Sequence, residues 1–193
     1  MPEFEAFEAL VRDKGRRELE CRPYLKHAER LLVGQDLRST ARFYEVRSYA
    51  GDADLIIVAD VVTDTLEVEP TAFFWELKAP QCYLFEYDDN KNRCRPTIDL
   101  IKAENQLLHY VEEAVGNEST RIRLGVKSSK DIRAGGIIIG TNDTMLYAPK
   151  DPRDTYKAAM ALRLRRERLY RTQGIRVLVW DRVLDDVRPT RVL

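Results

Sequence analysis

The spacing of hydrophobic residues in the first 34 positions predicts two helices. Apolar side chains in residues 3–13 recur at i, i+3, i+6 and i+7, which is the spacing of one helix face. A second helical pattern begins at Arg17 and ends near Gly34, because glycine suits a helix stop. Pro23 interrupts this pattern, so we expect the second helix to start or bend there.

Three strand-like segments come next, with short connections between them. Residues 41–49 alternate weakly between apolar and polar side chains. Residues 54–59 form an apolar run opened by an acid, and residues 73–78 form an apolar run closed by Glu-Leu-Lys. Successive strands with short connections predict an antiparallel meander.

The second half of the chain alternates helical patterns with apolar strands. The apolar segment at 136–140 has glycine at both ends, which is typical of a buried central strand. The other predictions for this half are an irregular polar loop at 81–96, a helix at 98–115, a basic connection at 117–134, a small strand at 145–147, a helix from 151 to 173, a strand at 175–180 and a short helical turn at 181–187 capped by Asp181.

These patterns predict an α/β fold with a mixed central sheet flanked by helices. The meander is antiparallel, whereas strands connected by helices favour parallel pairing. No change of composition divides the chain. We therefore predict an N-terminal helix over residues 1–15, one domain over 16–187 and a frayed tail over 188–193.

Composition places the chain among ordinary soluble proteins. It has 193 residues, of which 44% are hydrophobic and 33% charged. No apolar run approaches the roughly 20 residues that span a bilayer, and the acidic N-terminus lacks the pattern of a signal peptide. The three cysteines and two histidines do not have the spacing of a zinc site. We expect a cytoplasmic protein with reduced thiols and no membrane contact.

Basic residues are concentrated in two segments, although the formal net charge is zero. The segments are residues 121–133 and 163–171, and the first eight residues are acidic. The overall balance does not indicate nucleic-acid binding, but the asymmetry permits a side that faces DNA. A solvated helix face or an oligomer contact remains an equal alternative for residues 163–171.

The candidate chemistry lies where the apolar strands meet. Side chains alternate along a strand, so Glu76 and Lys78 share one face. In an antiparallel pair, Asp54 at the start of one strand approaches them at the end of the next. Two carboxylates with water or a carbonyl suit Mg²⁺, and a metal beside a lysine suits phosphodiester hydrolysis. The alternative is an ion pair at the sheet margin without a metal.

A further polar pair lies on the helix after the long loop. Gln106 and Tyr110 stand at i and i+4 and so share a helix face. Four motifs follow one another along the chain: Trp75-Glu76-Leu77-Lys78-Ala79-Pro80, Gln106-x-x-x-Tyr110, Ile139-Gly140 and Trp180-Asp181-x-x-Leu184. In this order they resemble the nuclease domain of Shedu-type bacterial anti-phage defence proteins, within the PD-(D/E)XK superfamily. The resemblance covers residues 16–187.

The resemblance implies a role for each matching residue. These roles are Asp54 and Glu76 as ligands of Mg²⁺ or Mn²⁺, Lys78 as the catalytic lysine, Gln106 beside the scissile phosphate or the lysine, and Glu20 as an outer acid from the first helices. Glu18 is an alternative to Glu20, and Asp52 is an alternative to Asp54. Ala53 stands where the family has proline.

The resemblance also implies a fold and a function. The fold is restriction-endonuclease-like, and the function is a metal-dependent DNA endonuclease in bacterial anti-phage defence that forms a homodimer or homotetramer. The alternative is a domain of the same fold that binds nucleic acid or a protein partner without cleaving. The third possibility is an interaction module whose Glu76–Lys78 pair has no chemical role.

Overall fold

The computed structural model of the chain describes residues 2–34, 38, 41–44, 53–62, 65–91, 93–148 and 153–189. The helices are α1 (Pro2–Arg12), α2 (Glu18–Cys21), α3 (Glu29–Val33), α4 (Ile98–Gly116), α5 (Glu118–Leu124), α6 (Arg153–Arg171) and α7 (Trp180–Val187), with 3-10 helices at Arg22–His27 and Ser129–Asp131. The strands are β1 (Arg42–Tyr44), β2 (Leu55–Val62), β3 (Val68–Leu77), β4 (Phe85–Asp88), β5 (Arg93–Pro96), β6 (Ile132–Ile138), β7 (Leu146–Tyr147) and β8 (Arg176–Leu178).

The described strands build a mixed central sheet in the order β1-β2-β3-β6-β8. The pairs β1–β2 and β2–β3 are antiparallel, and the pairs β3–β6 and β6–β8 are parallel. Helices connect the parallel strands because a crossover must return the chain to the starting edge of the sheet. The α/β class, the meander and the parallel half are therefore confirmed.

Helices cover both faces of this sheet and create two cores. On β3, the side chains of Phe73, Trp75 and Leu77 belong to the core that α1, α3 and α7 close. The side chain of Phe74 belongs to the opposite core, which contains the buried face of α4. Side chains alternate along the strand, so Glu76 lies on the α4 side of the sheet and Leu77 lies on the other side.

Glycine in β6 makes room for the largest side chain of β3. Gly135 is the extra residue where the β3–β6 register shifts, and a Cβ at this position would lie 2.2 Å from the Trp75 indole nitrogen. Any other residue would displace the indole. Arg176 stacks over the same ring at 4.8 Å, so the end of β3 is held from two sides.

The helix α1 packs against the rest of the fold. Phe7 is fully buried, stacks on Tyr24 with the ring centroids 4.6 Å apart, and meets Trp180 edge-on at 6.2 Å. The helix α1 therefore contributes apolar side chains to the same core as α7. Tight packing of this kind makes an N-terminal helix part of the fold.

Several sequence predictions about elements are wrong. The segment 81–96 contains the β4–β5 hairpin, which joins β7 in a second sheet, because Leu84 and Phe85 are buried and anchor it. The segment 117–134 contains α5 and the start of β6. Strands β4 and β5 have four residues each, which are too few to show a periodic pattern in the sequence.

The region before the meander also differs from its prediction. Residues 17–34 form α2, a 3-10 helix that contains Pro23, and α3, instead of one helix. Strand β1 is seen at Arg42–Tyr44, one residue later than predicted, and residues 45–49 of its predicted span lie outside the described residues, as does Asp52. Asp181 does not cap α7: its carboxylate accepts from the backbone N–H of Asn142 at 2.6 Å.

Candidate active site

Asp54 lies beside the end of β3, as the strand register requires. Leu55 pairs with Trp75 across the antiparallel β2–β3 ladder, so the residue before Leu55 falls level with Glu76. The Asp54 Oδ2 atom accepts a hydrogen bond from the Leu77 backbone N–H at 2.9 Å. This bond fixes the carboxylate against the strand that carries the other predicted site residues.

Glu76 is a buried carboxyl group with one partner and one unpaired oxygen. Its side chain is 1% exposed, and Oε1 accepts from the Lys78 Nζ at 2.5 Å. The Oε2 atom is buried and has no hydrogen-bond partner within the described part of the chain. Burial, followed by the negative charge of Asp54, raises the pKa of Glu76 to about 8 against the opposing effect of Lys78.

Lys78 is held as a cation between two side chains. Its Nζ donates to Glu76 and also to the Gln106 Oε1 atom, at 2.9 Å. Burial lowers the pKa of Lys78, but the hydrogen bond to Glu76 and the charges of Glu76 and Asp54 outweigh burial, so the pKa is raised. A lysine in this setting stabilises negative charge and is a poor general base.

The backbone of Lys78 is fixed as firmly as its side chain. Its N–H donates to the Ile138 carbonyl at 2.8 Å, and its own carbonyl accepts from the Trp180 indole N–H at 2.8 Å. Trp180 is fully buried at the start of α7. The Trp-Asp motif of the sequence therefore supports the lysine from the opposite core.

The helix α4 brings Gln106 to the site. Its first turn is capped by Thr97, whose Oγ1 accepts from the Leu100 N–H at 3.3 Å. The Gln106 Nε2 donates to the Tyr110 hydroxyl at 3.5 Å, which orients the amide so that its oxygen faces Lys78. Burial, then the charge of Glu76, raises the pKa of Tyr110, so this hydroxyl stays neutral.

The structure separates the two acids that the sequence left as alternatives. Burial, followed by the charge of Asp54, raises the pKa of Glu18, and Lys78 opposes that rise, so Glu18 is electrostatically coupled to the site. Glu20 is exposed and pairs with Arg17 at 3.1 Å instead. The predicted residue Glu20 is therefore not brought together with the other site residues.

Arg22 is a site residue that sequence reasoning missed. Its Nη2 lies 3.4 Å from the Asp54 Oδ1 atom, and its side chain is 18% exposed. It belongs to the 3-10 helix that follows α2. No periodic pattern marks an arginine in this position, since the rotation of the 3-10 helix differs from that of an α-helix.

The residues present fit a divalent cation that keeps several waters. Asp54 and Glu76 supply carboxylate oxygens, and no described residue donates a hydrogen bond to the buried Glu76 Oε2. Mg²⁺ commonly binds one or two carboxylates and completes its shell with water. Among the described residues, no group of three or more His, Cys, Asp or Glu side chains is arranged to hold a metal.

Comparison with known proteins found no match. No protein-family model, curated protein or solved structure matches the chain. Among the described helices, none is both long enough and apolar enough to cross a membrane.

Proposed function

We propose that this chain is a Mg²⁺-dependent or Mn²⁺-dependent DNA endonuclease that hydrolyses phosphodiester bonds. The observation that supports it most is the grouping of Asp54, Glu76, Lys78 and Gln106 at one end of the sheet, with the Glu76 Oε2 buried and unpaired. Two adjacent carboxyl groups beside an ammonium are suited to a metal and a phosphate together.

Each residue has a distinct role in the proposed reaction. Asp54 and Glu76 would hold the divalent ion, which when bound would supply Lewis-acid chemistry for phosphodiester hydrolysis. Lys78, as a cation, neutralises the charge that develops on the phosphate oxygens. Gln106 positions the Lys78 ammonium, and Glu18 adds negative charge near the same point.

The proposed DNA partner is supported by exposed arginines on α6. Arg163 pairs with Glu167, and Arg166 pairs with Glu104. The three other arginines from Arg165 onward in the helix are exposed, and no ion pair is seen for them among the described residues: Arg165, Arg168 and Arg171. Contacts from such side chains to phosphates would give affinity that falls steeply with salt.

We place this activity in the cytoplasm of a bacterium, in defence against phage. The sequence motifs that resemble the Shedu-type nuclease domain support this role, and the reduced thiols of Cys21 and Cys82 suit a reducing compartment. Phage plating on bacteria that express the chain tests it: plating should fall with the unaltered chain and recover with Lys78→Ala. Equal plating on both strains would reject the defence role.

A domain that binds without cleaving is the second candidate, and one observation favours it. Arg22 pairs with Asp54, and Lys78 pairs with Glu76, so both acids are already opposed by cations of the chain. A divalent ion must compete with these pairs. In this alternative, DNA binds in the presence of several divalent ions and is never cut.

Cleavage of supercoiled plasmid separates the two candidates. We expect nicked or linear product with Mg²⁺, none with EDTA, and a loss of about 100-fold or more in Glu76→Ala and Lys78→Ala. The matched control is Glu86→Ala, which breaks the Glu86–Arg95 ion pair on the β4–β5 hairpin and should cleave normally. DNA binding without cleavage under any divalent ion would favour the second candidate.

A further inference from the structure

The helix α4 has a second apolar stripe that the fold does not use. Its buried face is formed by Leu100, Ala103, Leu107, Tyr110 and Ala114. On the opposite side, the exposed apolar residues are Ile98 at 62%, Ile101 at 38%, Leu108 at 46% and Val115 at 38%. Apolar side chains left in water on one stripe mark a protein contact surface when they are contiguous.

The spacing of this stripe is that of a coiled-coil seam. Steps of three and four residues connect its six positions: Ile98, Ile101, Asn105, Leu108, Glu112 and Val115. All six are exposed, so the described part of the chain covers this side of α4 only in part. Alternating steps of three and four keep one seam facing a partner helix over this length of about 26 Å.

We infer that α4 pairs with the α4 of a second copy of this chain in an antiparallel arrangement. A two-fold axis that crosses the helix between Gln106 and Leu107 places Ile98 opposite the partner's Val115. The same axis places Asn105 opposite the partner's Leu108 and Ile101 opposite the partner's Glu112. Each apolar residue of the seam is then covered by a side chain from the other copy.

Charge complementarity selects this orientation. Lys102 and Glu112 are exposed, and no ion pair is seen for either among the described residues. In the antiparallel pair, Glu112 lies over Ile101 of the other copy and reaches the neighbouring Lys102. A parallel pair would place the two copies of Glu112 against each other in an apolar seam, which is unfavourable.

The interface is independent of the proposed nuclease activity. Gln106 projects from a different side of α4, towards Lys78, so pairing through the seam leaves the candidate active site open. Four apolar residues per copy make a small interface. We expect a dimer with a Kd of about 1–100 µM.

Sedimentation velocity of the full chain, without DNA or metal, tests the inference over a concentration range that spans this Kd. Leu108→Glu should give a monomer, with Kd raised at least about tenfold. The matched control is Leu169→Glu on α6, a leucine that is 66% exposed and lies off the seam, and it should dimerise normally. A monomer at every concentration, or a dimer unchanged by Leu108→Glu, would overturn the inference.

Charge reversal tests the orientation. Lys102→Glu and Glu112→Lys should each weaken the dimer because like charges then meet across the seam. The double variant should restore it. If both single variants weaken the dimer and the double variant does not recover, the antiparallel register is wrong. If neither single variant weakens the dimer, Lys102 and Glu112 do not meet across the seam, and the antiparallel register is wrong in that case too.

Discussion

At the scale of the residue, the candidate site is a set of charges arranged around one buried acid. The negative charge of Asp54 acts on Glu76. Lys78 pairs with Glu76, and Arg22 pairs with Asp54. Burial and the charge of Asp54 raise the pKa of Glu76, and the hydrogen bond to Glu76 helps to raise the pKa of Lys78. In the proposed function, a divalent ion would replace the proton of Glu76 and offset the repulsion between the two acids.

The stability of the metal-free protein should depend on pH through Glu76. The folded-state pKa of about 8 lies above the ordinary value of 4.5, so the favourable contribution is complete below pH 4.5 and is lost as pH rises through about 8. Glu76→Gln removes this pH-dependent loss of stability and keeps an oxygen that can accept the hydrogen bond from Lys78. At pH 9 the variant should be more stable by on the order of 2–4 kcal/mol.

Urea unfolding in EDTA between pH 5 and pH 9 measures this effect. The difference in the free energy of unfolding should be small at pH 5 and grow towards pH 9. Glu20→Gln is the matched control because its side chain is exposed and paired with Arg17. The same pH slope for the unaltered chain and Glu76→Gln would refute the assignment.

Binding of Mg²⁺ should release a proton. Below pH 8 the ion must displace the proton of Glu76, so the apparent affinity should rise by up to about tenfold per pH unit and level off above pH 8. Calorimetric titration at pH 7 in buffers of different ionisation enthalpy counts the protons released. Release that persists unchanged in Glu76→Gln would assign the proton to another group.

Substitution of Glu18 should slow cleavage, and substitution of Glu20 should not. Glu18 is coupled to Asp54, so Glu18→Gln should reduce the rate by about tenfold, whereas Glu20→Gln should leave it unchanged. Cleavage rates of the two variants at one Mg²⁺ concentration provide the comparison. A larger loss in Glu20→Gln would mean that α2 presents its other face to bound DNA.

At the scale of the element, the end of β3 is supported by α7 from the opposite core. Trp180→Phe removes the indole N–H that donates to the Lys78 carbonyl at 2.8 Å. Trp75→Phe is the matched control, since Trp75 is equally buried but its Nε1 has no hydrogen-bond partner in the described part of the chain. The two variants lose the same atoms, and only Trp180→Phe loses this hydrogen bond, whereas Trp75→Phe also changes the ring on which Arg176 stacks.

We expect Trp180→Phe to be less stable than Trp75→Phe by about 1 kcal/mol and to cleave DNA about tenfold more slowly. Thermal or urea unfolding and plasmid cleavage measure the two effects. Equal stability and equal rates in both variants would show that the bond does not position Lys78.

Sequence patterns anticipated the elements whose periodicity is strong. The alternation along β3 predicted that Glu76 and Lys78 share a face, and the i, i+4 spacing on α4 predicted the same of Gln106 and Tyr110, and the contacts agree. The approach of Gln106 to Lys78 was implied only by the family resemblance. The β4–β5 hairpin could not be predicted in this way, because its partner β7 is two residues long and distant in sequence.

The choice between Glu18 and Glu20 depended on the rotation of α2. Leu19 suggested an apolar face, yet its side chain is 69% exposed. The buried residues are Cys21 and Leu25, at i and i+4, and Glu18 lies three residues before Cys21 on that same side. If Cys21 is counted as a small hydrophobic residue, the sequence favours Glu18 over Glu20 as the acid that faces the site.

At the scale of the whole molecule, one sheet organises both proposals. The end of β3 carries the candidate active site, and α4, which covers the adjacent face, carries Gln106 on one side and the proposed dimer seam on another. A dimer through α4 would bring two sites into one particle. The plasmid product, nicked or linear, then reports whether the two sites act on one strand or both.

The most direct measurement of the central claim is single-turnover cleavage of labelled duplex DNA in Mg²⁺ by the unaltered chain and by Lys78→Gln. Lys78→Gln keeps a hydrogen-bond donor between Glu76 and Gln106 but removes the charge. We predict that the unaltered chain cleaves the duplex and that the cleavage rate of the variant is lower by about 100-fold or more, with unchanged DNA binding. Equal rates in the two proteins, or no cleavage by either, would contradict it.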